Sequence, residues 1–194
     1  MFFLKRPSSE RIQRFQQIAE QDSFSYPELC ATLKQPLPSG YNIDHNRVCL
    51  GRGKTVFERA RAALSAWKMF DLGWVKLIHP PAPVAPRQTV LVLARTWGIY
   101  SLSASRVLTM IDTDDGKTTR WGFCYGTLQH HVERGEERFT VEYWREDDSV
   151  WYDILAFSQP QHALARLAYP LSRAAQRRFA RDSKAAMRNA IGTQ

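Results

Sequence analysis

The chain has 194 residues, 44% hydrophobic and 24% charged, a length that buries roughly 70% of the unfolded surface and excludes a disordered protein. Cys30, Cys49 and Cys124 form no CxxC pair, which argues against a disulfide scaffold and a cysteine-rich zinc site. Net charge is +8, yet seven of the 27 basic residues and only one of the 19 acids lie between Gln161 and Gln194, so the basicity belongs to the C-terminal segment.

Met1–Pro7 set a short apolar run before positive charge and lack the long apolar stretch of a secretory signal. No segment approaches the roughly 18 uninterrupted apolar residues of a membrane span. The expected location is the cytoplasm, in solution. Ser8 to Ala19 is predicted helical, with Ile12, Phe15 and Ile18 at intervals of three. A second helix is predicted near Ser25, where Ser25-Tyr26-Pro27-Glu28 has capping-box spacing. Pro36-Leu37-Pro38-Ser39-Gly40 interrupts regular structure. Residues 1–40 therefore read as a helical extension with a linker, and 41–194 as the main domain.

Tyr41 to Leu50 suits a first strand. Gly51-Arg52-Gly53-Lys54 then turns into a helix capped by Thr55 and Glu58, with Phe57, Ala60, Leu64 and Trp67 on one stripe and Gly73 at its end. Strand patterns follow at Trp74–His79, Thr89–Thr96, Arg106–Asp112, Trp121–Leu128, Glu137–Trp144 and Val150–Phe157. Their short connections, with Asp114-Asp115-Gly116 and Glu146-Asp147-Asp148 as turns, predict an antiparallel meander. His162 to Ala190 reads as one helix about 40 Å long at ~1.5 Å per residue, interrupted by Pro170, which kinks it or marks the first turn of a second segment. Arg166, Arg173, Arg177, Arg181, Lys184 and Arg188 fall on one side of it. Leu164, Leu167, Ala168, Leu171, Ala175, Phe179 and Ala186 fall on the other, with Asp182 placed uncomfortably among them.

Strand, helix, six antiparallel strands and a long terminal helix is the order of an α+β helix-grip fold, in which a curved sheet wraps a C-terminal helix. Such a sheet does not close flush on one helix, so a cavity between the two is expected. The strands are rich in aromatics, among them Tyr125 and Trp151. Most of these are expected to fill the core, and some to line the cavity.

Four ordered runs carry a resemblance: Trp67–Val75, Gly122–Leu128, Gly135–Phe139 and Val150–Ser158. Across about Tyr41 to Ala190 the chain resembles the bacterial and plant domain-of-unknown-function family nineteen-ninety. That resemblance supplies no established activity and no catalytic residues. It also implies membership of the START and birch-pollen-allergen-like superfamily, whose members bind lipids, sterols and other hydrophobic molecules and include some enzymes.

Several residues are candidates for chemistry. Gly51–Lys54 before a helix suggests a phosphate loop, but the Walker pattern needs a glycine where Val48 stands, so a plain tight turn is expected. His131 and Glu133 share a strand face, and a hairpin at Gly135 could bring Glu137 beside them, for a metal or an acid–base pair. The plainer expectation there is a solvated hairpin tip. Arg95, Arg106 and Asp153 stand inside apolar strands. Paired with one another or with Asp182 they are structural, and an inward arginine lacking a partner would recognise a ligand carboxylate or phosphate.

The resulting expectation is a module that binds a hydrophobic or amphipathic small molecule, with Arg95, Arg106, Tyr125, His131, Glu133, Trp151 and Asp153 as candidate ligand-binding residues. No metal, cofactor or catalytic residue is assigned. The alternatives are an enzyme that uses His131, Glu133, Asp153 and an arginine for acid–base chemistry, or an interaction protein. The latter would present Arg173, Arg177, Arg181, Lys184 and Arg188 to an anionic surface, with nucleic acid disfavoured because no aromatics interleave the stripe.

Overall fold

The computed structural model describes residues 1–78, 83–161 and 169–192. The predicted strand end at His79 and the predicted helical residues Leu164, Arg166, Leu167 and Ala168 lie outside them. The elements run β1 (Phe2–Phe3), α1 (Ser9–Gln21), β2 (Asn42–Arg52), α2 (Lys54–Ser65), β3 (Val75–Ile78), β4 (Thr89–Thr96) and β5 (Ile99–Asp114). Then come β6 (Thr118–Thr127), β7 (Glu133–Trp144), β8 (Ser149–Pro160) and α3 (Tyr169–Ala190), with short 3-10 turns at Ala31–Leu33 and Lys68–Phe70.

The predicted meander forms. Its sheet order is β2-β8-β7-β6-β5-β4-β3, with every neighbouring pair antiparallel and β2 returning beside β8. β1 pairs with the start of β5, at Phe2↔Ser101 and Phe3↔Tyr100. Register shifts at Cys49/Gly51 in β2 and Val107/Thr109 in β5 interrupt the ladders, and extra residues of this kind bend a strand. The result is the helix-grip architecture, with α3 in the concavity.

Strand alternation divides the side chains between two cores. On the concave face Phe123, Phe139, Val141 and Tyr152, all fully buried, pack against Phe57 and Leu64 of α2 and Met187 of α3. Truncating one of these rings to alanine costs about 3–5 kcal/mol. On the convex face Leu91, Leu93, Leu102 and Ala104 are covered by Phe15 and Ala19 of α1, whose N-cap Ser8 accepts from the Arg11 N–H.

Tertiary contacts override local signals in three places. α2 is capped by Gly53, not Thr55, and stops at Ser65, short of Gly73. Trp67 there adopts a left-handed backbone, φ 60, and sets its ring 4.9 Å from that of Phe123. The segment near Ser25 is not an α-helix: Phe24 bridges to Leu128, and Ser25 bonds Thr127 through both its N–H and its hydroxyl. β5 starts at Ile99, seven residues before Arg106, because Ser101, Ser103 and Ser105 alternate with Tyr100, Leu102 and Ala104 and read as loop composition. Pro170 lies in the first turn of α3, the second of the two positions expected for it, where a missing N–H is tolerated.

Candidate functional site

A cavity of about 1130 Å³ lies between the sheet and the first half of α3. The second half of that helix is seated on the core. Tyr152 and Ser183 share a hydrogen bond of 2.9 Å between their hydroxyls, Trp74 Nε1 donates to Asp182 at 2.9 Å, and the Phe179 ring centre is 5.2 Å from that of Phe70. The first half is instead tied sideways to the edge strand: Arg173 grips Asp44 through both nitrogens, at 2.5 and 2.6 Å. The space left beneath is walled by Phe70, Trp74, Val92, Ile154, Ala175 and Phe179.

One end of the cavity is polar, and its residues come from alternation along β6 and β7. Glu133, Gly135 and Glu137 of β7 line it together with Tyr125 and Thr127 of β6. Tyr125 donates to Glu137 at 2.9 Å, and Thr127 Oγ1 both accepts from the Gly135 N–H and donates to its carbonyl. Gly135 has φ 145, and a Cβ there would fall 2.0 Å from the Phe157 carbonyl oxygen, so only glycine permits this crossing. His131, just before β7, has Nδ1 at 2.8 Å from the Glu133 carbonyl and 3.0 Å from the Glu133 nitrogen. Glu133 Oε2 is buried without a hydrogen-bond partner among the described residues.

Burial dominates the electrostatics of this end. It raises the Glu133 carboxyl to about 7, against a smaller opposing pull from Arg173. It raises Glu137 to about 7 as well, with the Tyr125 hydrogen bond opposing and Asp44 reinforcing. The same burial lowers His131 to about 4, so the imidazole is neutral. Two carboxyls poised near neutrality, a phenol and a neutral imidazole can hold, donate or accept protons on a bound molecule.

The structure thus brings Tyr125, His131 and Glu133 together and adds Glu137, in place of the solvated hairpin tip expected there. β7 runs unbroken through Gly135. The other candidates lie elsewhere. Asp153, 2% exposed, is on the convex face, ion-paired with Arg138 (3.0 Å) and Arg47 (3.1 Å) and hydrogen-bonded to His45 Nε2 (2.6 Å). Trp151 shares that face, its ring 5.0 Å from the Arg47 guanidinium. Arg95 is exposed and stacks over Tyr100. Arg106 closes the C-terminus of α1, donating to the carbonyls of Ala19, Glu20 and Asp22. Neither forms the pair weighed from the sequence, with Asp153 or with Asp182.

The basic stripe of α3 is largely committed to the protein. Arg173 holds Asp44, Lys184 donates to Asn46, Arg188 to the Cys49 carbonyl, and Arg181 to Asp182. Arg177 is exposed at the cavity. Arg173 and Lys184 thus form a seam with β2, whose Asp44 and Asn46 face the helix, while Arg177, Arg181 and Arg188 of the same stripe are exposed. Asp182 escapes its predicted discomfort through Trp74, Arg178 and Arg181. At the phosphate-loop candidate, Gly53 donates to the Asp148 carbonyl, so an acidic turn sits where a phosphate would bind. Among the described residues no group of three or more His, Cys, Asp or Glu could hold a metal ion, and no helix is long and apolar enough to cross a membrane.

A curved antiparallel sheet gripping a C-terminal helix over a partly apolar cavity defines a protein of the helix-grip fold. The family model described as "Domain of unknown function (DUF1990)" matches residues 25–186. The chain belongs to that family. A UPF0548 protein of Dictyostelium discoideum is 35% identical over 100% of this chain and 97% of its own. One from Deinococcus radiodurans is 37% identical over 93% and 94%. Among solved structures, TTHA0849 from Thermus thermophilus aligns with a TM-score of 0.54 at 11% identity, over 77% of this chain and 97% of its own. A START superfamily protein from Mycobacterium smegmatis aligns at 0.48 and 10% identity, over 77% and 99%.

Proposed function

We propose that the protein binds an amphipathic small molecule, its apolar body against Phe70, Trp74, Val92 and Phe179 and its polar end at Glu133, Glu137 and Tyr125. The observation that carries this reading is the cavity of about 1130 Å³, slightly larger than the roughly 300–1,000 Å³ of most small-molecule sites and roomy enough for an amphipathic ligand. The unpartnered Glu133 oxygen at its polar end supports it: a buried acceptor costs about 1–3 kcal/mol until a donor reaches it. The ligand therefore carries a hydroxyl or amine at that end. Native mass spectrometry of gently purified protein, followed by organic extraction, tests the reading. A discrete bound mass is expected, and it should be sharply reduced in Ala175→Trp, whose indole obstructs the cavity beneath α3. A bound mass undiminished by that substitution would overturn the assignment to this cavity.

A second reading, an enzyme that transfers a proton on the bound molecule, is favoured by one observation: burial holds Glu133 and Glu137 near neutral pH. Tyr125 and His131 complete the group that would act. Asp153 and the strand arginines have no part in it.

A further inference from the structure

Four of the exposed large apolar side chains gather at one place. Trp97 is 60% exposed, Leu171 49%, Ile43 44% and Ile99 42%, and all four border the cavity. Leu4 is 86% exposed. The antiparallel register Phe2↔Ser101, Phe3↔Tyr100 carries the chain from Phe3 towards Ile99, so Leu4 emerges beside the β4–β5 tip that bears Trp97. Isolated exposed apolar residues need no explanation, but a cluster of the largest ones around a cavity mouth does.

Trp97 sharpens the point. It occupies a left-handed turn position, φ 49, followed by Gly98 at φ 81. Asparagine or glycine suits such a position, and a tryptophan there costs roughly 1–2 kcal/mol of backbone strain. With most of its ring in solvent, Trp97 gains little for the fold in return.

Cations flank this rim. The groove formed by Phe3 to Arg14 contains Lys5, Arg6, Arg11 and Arg14 against one acid, Glu10. Arg11 stacks on Phe3, 5.7 Å from its ring centre. Arg95 is exposed over Tyr100, and Arg177 is exposed at the cavity edge. An indole and aliphatic side chains with lysine and arginine to one side of them complement the interface of an anionic bilayer, where indoles sit at headgroup depth and cations meet phosphates.

We infer that the cavity mouth docks on an anionic lipid surface through Trp97, Ile99, Leu171 and Leu4, with Lys5, Arg6, Arg11 and Arg14 beside them. This rests on the cavity reading above and adds the ligand's route: an amphipathic molecule passes between bilayer and cavity without crossing water.

The test is cosedimentation of the full chain with vesicles of phosphatidylcholine alone and of phosphatidylcholine and phosphatidylserine in equal parts. Binding is expected to the mixed vesicles, with a blue shift of tryptophan emission and weakening at high salt. Trp97→Asn, which relieves the turn, and the double change Lys5→Glu with Arg6→Glu are each expected to weaken binding about tenfold or more. Both variants should keep the wild-type melting temperature and the wild-type affinity for 1-anilinonaphthalene-8-sulfonate in solution. Absence of vesicle binding, equal binding to both compositions, or binding indifferent to Trp97→Asn overturns the proposal. So does a dimer in sedimentation velocity that Trp97→Asn dissolves, because a second copy would then cover the rim. Failure of the wild-type chain to bind the anilinonaphthalene probe counts against the cavity alone and leaves the vesicle result standing.

Discussion

The Tyr125 phenol donates to the Glu137 carboxylate across the β6–β7 register, 2.9 Å apart, on the floor of the cavity. Burial lifts the Glu137 carboxyl to about 7, and this hydrogen bond is the influence that holds it down. In Tyr125→Phe that restraint is gone, so Glu137 should stay protonated to still higher pH. Carbon-13 NMR titration of labelled glutamate carboxyls checks this, and an unchanged Glu137 titration would show that the bond carries no weight. Affinity for a ligand that meets Glu137 as an acceptor should fall several-fold, since the carboxyl would then be neutral at pH 7.

Arg106 is expected to be a stability residue and not a ligand residue. Its guanidinium satisfies three terminal carbonyls of α1 and adds a cation at that helix's negative end. Arg106→Ala should lower stability by about 1.5–3 kcal/mol in urea unfolding, with probe affinity in the cavity unchanged. A loss of affinity at preserved stability would return Arg106 to the site.

How far the sequence reveals this site depends on whether a residue's role is set locally or across the sheet. The meander, α1 and α3 follow from hydrophobic period and turn residues, and β4 spans Thr89–Thr96 as read. The face of each strand is another matter. Period-two alternation pairs Glu133 with Glu137 once the strand is known to be continuous, but Gly135 looks like a turn until its Cβ-free crossing over Phe157 is seen. Arg95 and Arg106 look like ligands because a lone arginine in an apolar run demands a partner. Their partners, Tyr100 and the end of α1, are placed by tertiary packing. Asp44 carries no local signal at all, and its role comes from β2 lying under Arg173.

Glu136 should be among the most sensitive positions in the fold. It is 2% exposed on the convex face and accepts four hydrogen bonds, from the Tyr26 hydroxyl, the N–H groups of Cys30 and Thr32, and the Thr32 hydroxyl. Tyr26 in turn lies against Gly126, where any Cβ would be 2.2 Å from the phenol oxygen. Glu136→Gln replaces one acceptor oxygen by a donor facing donors. The expected loss is about 3 kcal/mol or more, with early hydrogen exchange across residues 24–34. Slow exchange there in the variant would show that the segment is held by apolar packing instead.

Glu133, Glu137 and His131 together predict the pH dependence of stability. The carboxyls titrate at about 7 in the fold against an ordinary 4.5, and the imidazole at about 4 against 6.5. Between the ordinary carboxylate value and pH 6.5 the folded chain therefore holds extra protons on two carboxyls and lacks one on the imidazole. The carboxyl contribution is fully present below pH 4.5 and is lost as pH rises through 7. The imidazole contribution is present above pH 6.5 and is lost as pH falls through 4. Two groups outweigh one, so these residues should make the protein less stable as pH rises from about 5 to 6.5. Comparison with variants removes the common background of other ionisable groups. His131→Gln should steepen the decline relative to wild type. In the double variant Glu133→Gln with Glu137→Gln only the imidazole remains, and the contribution should reverse sign and rise with pH. Urea midpoints at the two ends of that window measure all three slopes, and a double variant that parallels wild type would mean the two carboxyls are ionised and solvated in the folded protein.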